Sequence, residues 1–265
     1  MRTSLLLHAR HVAHDAAMEA GAIARERFRG DVDVRAKGTA GDVVTAADLA
    51  AERAILERIG AAFPAHRIRS EEAGVVGGDD PDHEWHVDPL DGTNNFAIGL
   101  PIYGVSIALL HRGVPVVAAV HESHHGMTSV AMRGDGGDVD GVPLGVAAPK
   151  AVDRLHVSWV KGHDVPKTAA VMALKNRVDA ACRRVFSLWA PAVGWAMLAR
   201  GDLDAVVLYD SEGEDLYAGL LLAREAGAAV VDFDGRPFDR LDPHPFLVAG
   251  HPDVVPDLLD LVRDR

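Results

Sequence analysis

The chain has 265 residues, 48% of them hydrophobic, which supports a sizeable core and excludes a disordered polymer. Its net charge of −12 excludes a general affinity for nucleic-acid backbones or anionic membranes. Cys182 is the single cysteine, so no disulfide framework exists, and a small buried thiol in a reducing compartment is expected.

The leucine run at positions 5–7 is too short for a signal-peptide core, and no apolar stretch approaches the ~20 residues of a membrane span. A cytoplasmic protein is expected. Residues 5–28 place apolar side chains at helical spacing and predict a helix. "VRAKGTAGDVV" reads as a glycine-containing loop. Thr45 then opens a second helix, and Thr45 with Asp48 matches a capping box, Asp standing for the more usual Glu. Pro64 ends that helix. "HRIRSEEAG" predicts a short strand running into a loop, "VVGGDDPD" a turn-rich surface segment, and "EWHVD" a strand. "YGVSIALLHRGVPVVAAVHE" predicts two apolar strands around a turn. "MTSVAM" and "LHVSWV" are strands, with "RGDGGDVDG" a loop between them.

Beyond this point elements alternate. Helices are predicted over 165–183, 192–199, 215–226 and from 253 onward. Strands are predicted at "RVFSLW", "DAVVLY", "AAVVDF" and "PFLVAG". The order implies layered α/β or α+β packing, with halves 1–150 and 151–265 in one compact unit.

"WHVDPLDGTNNF" carries the chemistry. Asp88 ends a buried strand, Pro89 turns the chain, and Asp91 comes round to the same side. Two such carboxylates repel and raise each other's pKa unless a cation joins them. Oxygen-only donors suit Mg²⁺, Ca²⁺ or Mn²⁺. Gly92 and Thr93 offer backbone amides to an anion. "SEEAG" puts Glu71 at another strand end, "TAAD" puts Asp48 at a helix start, and "GEDLYAG" does the same for Asp215.

Together "DVVTAAD", "SEEAG", "DPLDGTNNFAIGLPIYGVSIAL", "ARGDLDAVV" and "EDLYAGLLLAREAGA" resemble the inositol monophosphatase family of Mg²⁺-dependent phosphomonoesterases, over nearly the whole chain. The resemblance implies an αβαβα layered sandwich and a homodimer. It implies one Mg²⁺ held by Glu71, Asp88 and the Leu90 carbonyl, and a second held by Asp88, Asp91 and Asp215. Gly92 and Thr93 would meet the phosphate. Thr45 and Asp48 would serve the attacking water or a third metal, with Glu71 and Thr93 also in the catalytic set. A small phosphate ester is the implied partner, with no nucleic-acid polymer and no membrane.

The chain departs from the family on the alcohol side. The second signature has Glu214 where tryptophan is usual and Tyr217 where a small residue is usual. "WAPA", from Trp189, replaces a Gly-Ser/Thr-Ala-Ala run. Ungapped counting from Asp215 sets Leu208 where inositol-specific members carry an acid. Trp189, Leu208, Glu212 and Glu214 are therefore expected to shape the substrate side, with inositol 1-phosphate a poor substrate. A sugar, aminosugar, cyclitol-like or nucleoside-like phosphate is expected, with histidinol phosphate or a 3′-phosphonucleotide as alternatives. A non-catalytic ligand-binding relative is the rival from another class. "HESHH" (His121, His124, His125) reads as ordinary loop histidines and Lys37 as a surface lysine.

Overall fold

The computed structural model describes residues 3–30, 34–37, 42–211, 213–239 and 241–263. In chain order, α1 (Thr3–Arg27) is followed by a ribbon of β1 (Arg35–Lys37) and β2 (Asp42–Val44), then α2 (Ala46–Ala62). Next come β3 (His66–Ser70), β4 (Gly74–Gly77), β5 (Asp80–Asp91), the one-turn helix α3 (Thr93–Ala97), β6 (Gly104–His111), β7 (Val114–Glu122), β8 (Met127–Met132), β9 (Gly136–Val139) and β10 (Val142–Pro143). The rest is β11 (His156–Lys161), α4 (Ala169–Ala181), β12 (Arg184–Phe186), α5 (Pro191–Ala199), β13 (Ala205–Tyr209), α6 (Leu216–Glu225), β14 (Ala229–Asp232), β15 (Phe246–Gly250) and α7 (Val255–Arg263).

The first large sheet has the order β10-β9-β8-β7-β6-β5-β3-β4 and is antiparallel except where β3 lies beside β5. The second has the order β12-β11-β13-β15-β14. Period-two alternation assigns each strand residue to a layer. Trp85, Val87, Val105, Ile107 and Leu109 face α1 and α2. The alternate set, Ala108, Leu110, Ala118 and Val120, faces α5 and α6. Those helices meet Val206 and Leu208 of β13, while Ala205 and Val207 turn the other way toward α4 and α7. The result is five layers in the order αβαβα.

Small residues let the layers approach. The buried stripe of α1 is mostly alanine, at 9, 13, 16, 17, 20 and 24. In the middle layer Trp195 of α5 lies directly against Gly219 of α6, so any Cβ at 219 would collide with the indole. Gly219→Ala is an overpacking change, of a kind that costs typically about 1–3 kcal/mol.

Several segments differ from the sequence expectation. The expected loop at 34–44 contains β1 and β2; residues 38–41 lie outside the described set. "GVVG" pairs as β4 with β3, and "GGDV" as β9 with β8. Both are glycine-containing segments at or next to the sheet edge with no fully buried residue, so apolar alternation gave no signal there. The helix expected over 165–183 is shorter. Thr168 caps α4, its hydroxyl accepting from the Val171 amide at 3.3 Å, and Pro166 precedes it.

Candidate active site

The site lies where β3 and β5 end and where α2, α3, α5 and α6 begin. In a regular strand Asp88 and Asp91 would point to opposite faces. The β5–β6 register shifts between them: Asp88 pairs with Ser106 and Asp91 with Gly104. Three steps on β5 thus oppose two on β6, a bulge that turns Asp91 back to the face of Asp88. The Leu90 amide donates to Asp88 Oδ1 at 2.9 Å and holds this kink. Glu71 follows β3, its amide donating to the Val87 carbonyl at 3.1 Å. Asp215 is the N-cap residue of α6, yet its side chain makes no capping bond and turns to the other acids. Ser106 Oγ donates to the Asp215 carbonyl at 3.2 Å and ties that helix start to β6.

The electrostatics are those of a buried anionic cluster. Burial raises the Asp88 pKa well above the carboxylate range, with repulsion from Glu71, Asp91 and Asp215 added. Asp91 is raised in the same way, by burial and then Asp215, against two opposing backbone amides. One of these is Val193 N at the start of α5, which donates to Asp91 Oδ2 at 3.2 Å. Asp215 is pushed up to about 7, by burial and then by Glu71 and Glu214. Among the described residues no lysine or arginine pairs with Asp88, Asp91 or Asp215. An all-oxygen set this costly to ionise fits a hard divalent cation, which would remove the repulsion and restore the ionised form.

Asp48 forms a second tier. It is buried, and its Oδ2 accepts from the Thr45 amide at 2.9 Å and the Thr45 hydroxyl at 2.5 Å. Its Oδ1 lies 2.8 Å from Thr93 Oγ1. Burial still outweighs these bonds and raises its pKa. The Thr93 hydroxyl is also 2.8 Å from the Leu90 carbonyl, and its one proton serves one acceptor at a time. The expected capping box is therefore present, and it is also the link from α2 to the 90–93 turn. Gly92 has φ 85°, and a Cβ there would stand 2.9 Å from both Ala190 Cβ and the Ile102 carbonyl. Glycine is required by conformation and by space.

Glu52 escaped the sequence reading. It sits one turn after Asp48 on the same face of α2 and is buried. Its Oε1 accepts from Ser70 Oγ at 2.5 Å, Ala73 N at 2.8 Å and Glu72 N at 3.2 Å. It thereby fixes the turn that carries Glu71. The i, i+4 spacing of two acids on an otherwise apolar helix face was the available signal.

The alcohol-side residues scatter. Trp189 is half-exposed, immediately before the N-cap of α5, with its carbonyl beside Gly92. Glu214 lines a cavity of about 450 Å³ with Arg69, Glu84, His86 and Tyr217. Glu212 lies outside the described residues, as does the Lys37 side chain. Leu208 is 1% exposed and packs between α5 and α6, not on a wall. Ungapped counting back from Asp215 crossed the loop between β13 and α6, where spacing need not be kept, and so landed inside β13. With Leu208 in the core, its inability to accept a hydroxyl says nothing about inositol 1-phosphate.

The histidines form no site here. His121 is buried against Thr128, 2.8 Å from its hydroxyl, while His124 packs on Phe28. His66, Asp80 and His83 cluster at the far end of β3 and β5. The two imidazoles stack with planes 7° apart, so their in-plane lone pairs do not converge on one point. His66 Nδ1 also accepts from Trp85 Nε1 at 3.1 Å.

A five-layer sandwich with a buried carboxylate cluster beside a left-handed glycine turn defines a metal-dependent phosphatase. The profile of the inositol monophosphatase family matches residues 6–260, and the chain belongs to that family. The Nus factor SuhB of Pasteurella multocida (strain Pm70) is 31% identical over 263 residues, covering 96% of this chain and 95% of the relative. The inositol-1-monophosphatase of Mesorhizobium japonicum is 36% identical over 273 residues, covering 99% and 98%. The native crystal structure of the extragenic suppressor protein suhB from Bartonella henselae superposes with a TM-score of 0.89 at 27% identity, covering 96% and 98%. An inositol monophosphatase structure from Anabaena gives 0.84 at 27% identity, covering 97% and 96%.

Proposed function

We propose that this chain hydrolyses a small phosphate monoester with Mg²⁺, releasing inorganic phosphate. The observation that carries the reading is the convergence of Asp88 and Asp91 of β5 and Asp215 at the start of α6 into one buried cluster without a cationic partner among the described residues. Glu71, Asp88 and the Leu90 carbonyl would hold one ion, and Asp88, Asp91 and Asp215 a second. Bound Mg²⁺ would reverse the sign of the field met by a dianionic ester and acidify the attacking water. Gly92 and Thr93 orient the phosphate through backbone amides at the start of α3, and Thr93 adds its hydroxyl. Asp48, itself held by Thr45, accepts from that hydroxyl, and the pair would serve the attacking water or bind a third ion. No nucleophilic serine or cysteine is needed, because phosphoryl transfer rests on positioning and charge neutralisation.

The alcohol is a sugar, aminosugar, cyclitol-like or nucleoside-like group, with histidinol phosphate and 3′-phosphonucleotides as alternatives. A homodimer belongs to the same proposal, and a monomeric mass by sedimentation would remove it. Several relatives bear the name Nus factor, which offers a partner-binding role as the rival. A pure binding module has no use for so costly an acid cluster, and that favours chemistry. The test is phosphate release from a panel of monoesters with and without Mg²⁺. Absence of Mg²⁺-dependent release from every ester would refute the reading.

A further inference from the structure

Trp189 is the anomaly at the mouth of the site. Its φ is 58°, in the left-handed region that a bulky side chain rarely adopts and glycine takes freely. The strain is held in place. Asn95 Nδ2 donates to the Leu188 carbonyl at 2.7 Å and to the Ile102 carbonyl at 2.9 Å, clamping the backbone just before the tryptophan. Pro191 follows at the first turn of α5, the helix whose amide holds Asp91. The indole gains no burial for this strain. It is 52% exposed, whereas Trp85, Trp159 and Trp195 are at most 5% exposed. A strained residue that packs into no core is held for something outside the core.

A second ring joins it. His163 lies nearly parallel to the indole, centroids 6.3 Å apart and planes 25° from parallel. The turn carrying His163 is itself fixed, because Lys161 Nζ donates to the carbonyls of Gly162 and Val165, both at 2.6 Å. Two flat rings thus sit on two clamped segments, and the backbone of one of them reaches the Gly92 turn, the Trp189 carbonyl lying 3.4 Å from where a Gly92 Cβ would be.

We propose that Trp189, with His163, is a stacking platform for the alcohol part of the substrate, and that this part carries a planar heteroaromatic ring, as in a nucleoside or imidazole alcohol. The inference rests on the phosphatase reading above. A phosphate over Gly92 and Thr93 directs the rest of the ester toward the α5 start, where the indole offers a π-face and few hydrogen-bonding groups. Such a surface rewards flat rings whatever their edge pattern. It gives a polyol's hydroxyls no partner. The platform therefore favours ring-bearing esters over sugar and cyclitol phosphates.

The experiment measures kcat/KM for adenosine 3′-monophosphate, histidinol phosphate, glucose 6-phosphate and glycerol 2-phosphate at saturating Mg²⁺. It uses the wild-type chain, Trp189→Gly and Trp189→Phe. In Trp189→Gly the preference for at least one ring-bearing ester over glycerol 2-phosphate should collapse by about tenfold or more, the scale of one lost stacking ring. Trp189→Phe should keep most of it. Melting temperature should rise in Trp189→Gly, which shows that the lost preference is not lost folding. An unchanged ratio overturns the proposal, and so does an equal dependence of glucose 6-phosphate on Trp189. Quenching of the one exposed tryptophan by adenosine 3′-monophosphate, and not by inorganic phosphate, supplies a readout independent of turnover. Quenching without hydrolysis of any ester would sink the phosphatase reading alone, and absence of quenching would sink the platform.

Discussion

Asp215 shows what a single residue bears at this site. Burial and the neighbouring acids hold its pKa near 7, so without a cation the protein keeps this carboxyl partly protonated at neutral pH. Replacing Asp215 or Asp91 by asparagine removes one charge from the cluster while keeping the shape. The metal-free protein should melt at the same temperature or higher. Each ~1 kcal/mol of relieved repulsion is worth roughly 2–4 °C at this size. The increment that Mg²⁺ adds to the melting temperature should shrink, and phosphate release should be lost. Thermal scans with and without Mg²⁺, run beside a phosphate assay, check all three, and near-normal turnover in either variant would remove the two-ion assignment. These acids were legible in the sequence because each stands at an element junction, where a carboxylate has little structural reason to be buried. Glu52 was not, because an acid in mid-helix looks like a solvated face until its partners are known.

At the scale of elements, α2 acts as a bracket. Asp48 reaches the 90–93 turn and Glu52 reaches the 70–73 turn, so one helix face sets two segments that carry site residues. Glu52→Ala should raise the Mg²⁺ concentration for half-maximal activity by about 10–100-fold, the usual cost of losing a group that orients a ligand. Glu52→Gln keeps an acceptor oxygen and should recover most of that loss. A Mg²⁺ titration of activity decides it, and equal half-saturation in wild type and Glu52→Ala would reduce Glu52 to a structural role. The α1–β7 contact has its own chemistry. His121 is buried against α1, and burial together with Arg25 lowers its pKa to about 4. The unfolded chain takes up this proton near pH 6.5 and the native state only near 4, so the His121 contribution to stability falls as pH drops through that window. The whole displacement corresponds to about 3 kcal/mol at 1.36 kcal/mol per pH unit. The raised carboxyls of Asp88, Asp91 and Asp215 act with the opposite sign in the metal-free protein, so the His121 effect is read as a difference: in melting scans from pH 7 to 4 the wild type should lose stability relative to His121→Gln. Elements with strong apolar alternation were read correctly from sequence. The glycine-rich strands β4 and β9 were not, since their pairing is made by backbone groups that leave no side-chain pattern.

At the scale of the whole molecule, layered α/β packing followed from element order and the five layers from the family resemblance, but which loop faces which could not be read. Leu208 illustrates the gap: its strand was foreseen, while its side was set by the packing of α5 and α6 between two sheets. The same packing has a consequence in time. Val193, which holds Asp91, lies 102 residues further along the chain, and Ser106 meets the backbone of Asp215 across 109 residues. No subset of neighbouring elements contains the acid cluster. Contacts of such long sequence separation form late, after the loop-closure entropy between the halves has been overcome. On refolding, helical and strand signals should therefore return before turnover does. A divalent cation held by these acids would have a low-affinity, half-built site until the sheets meet and would afterward oppose their separation, so that dilution into chelator should speed unfolding more than it slows folding.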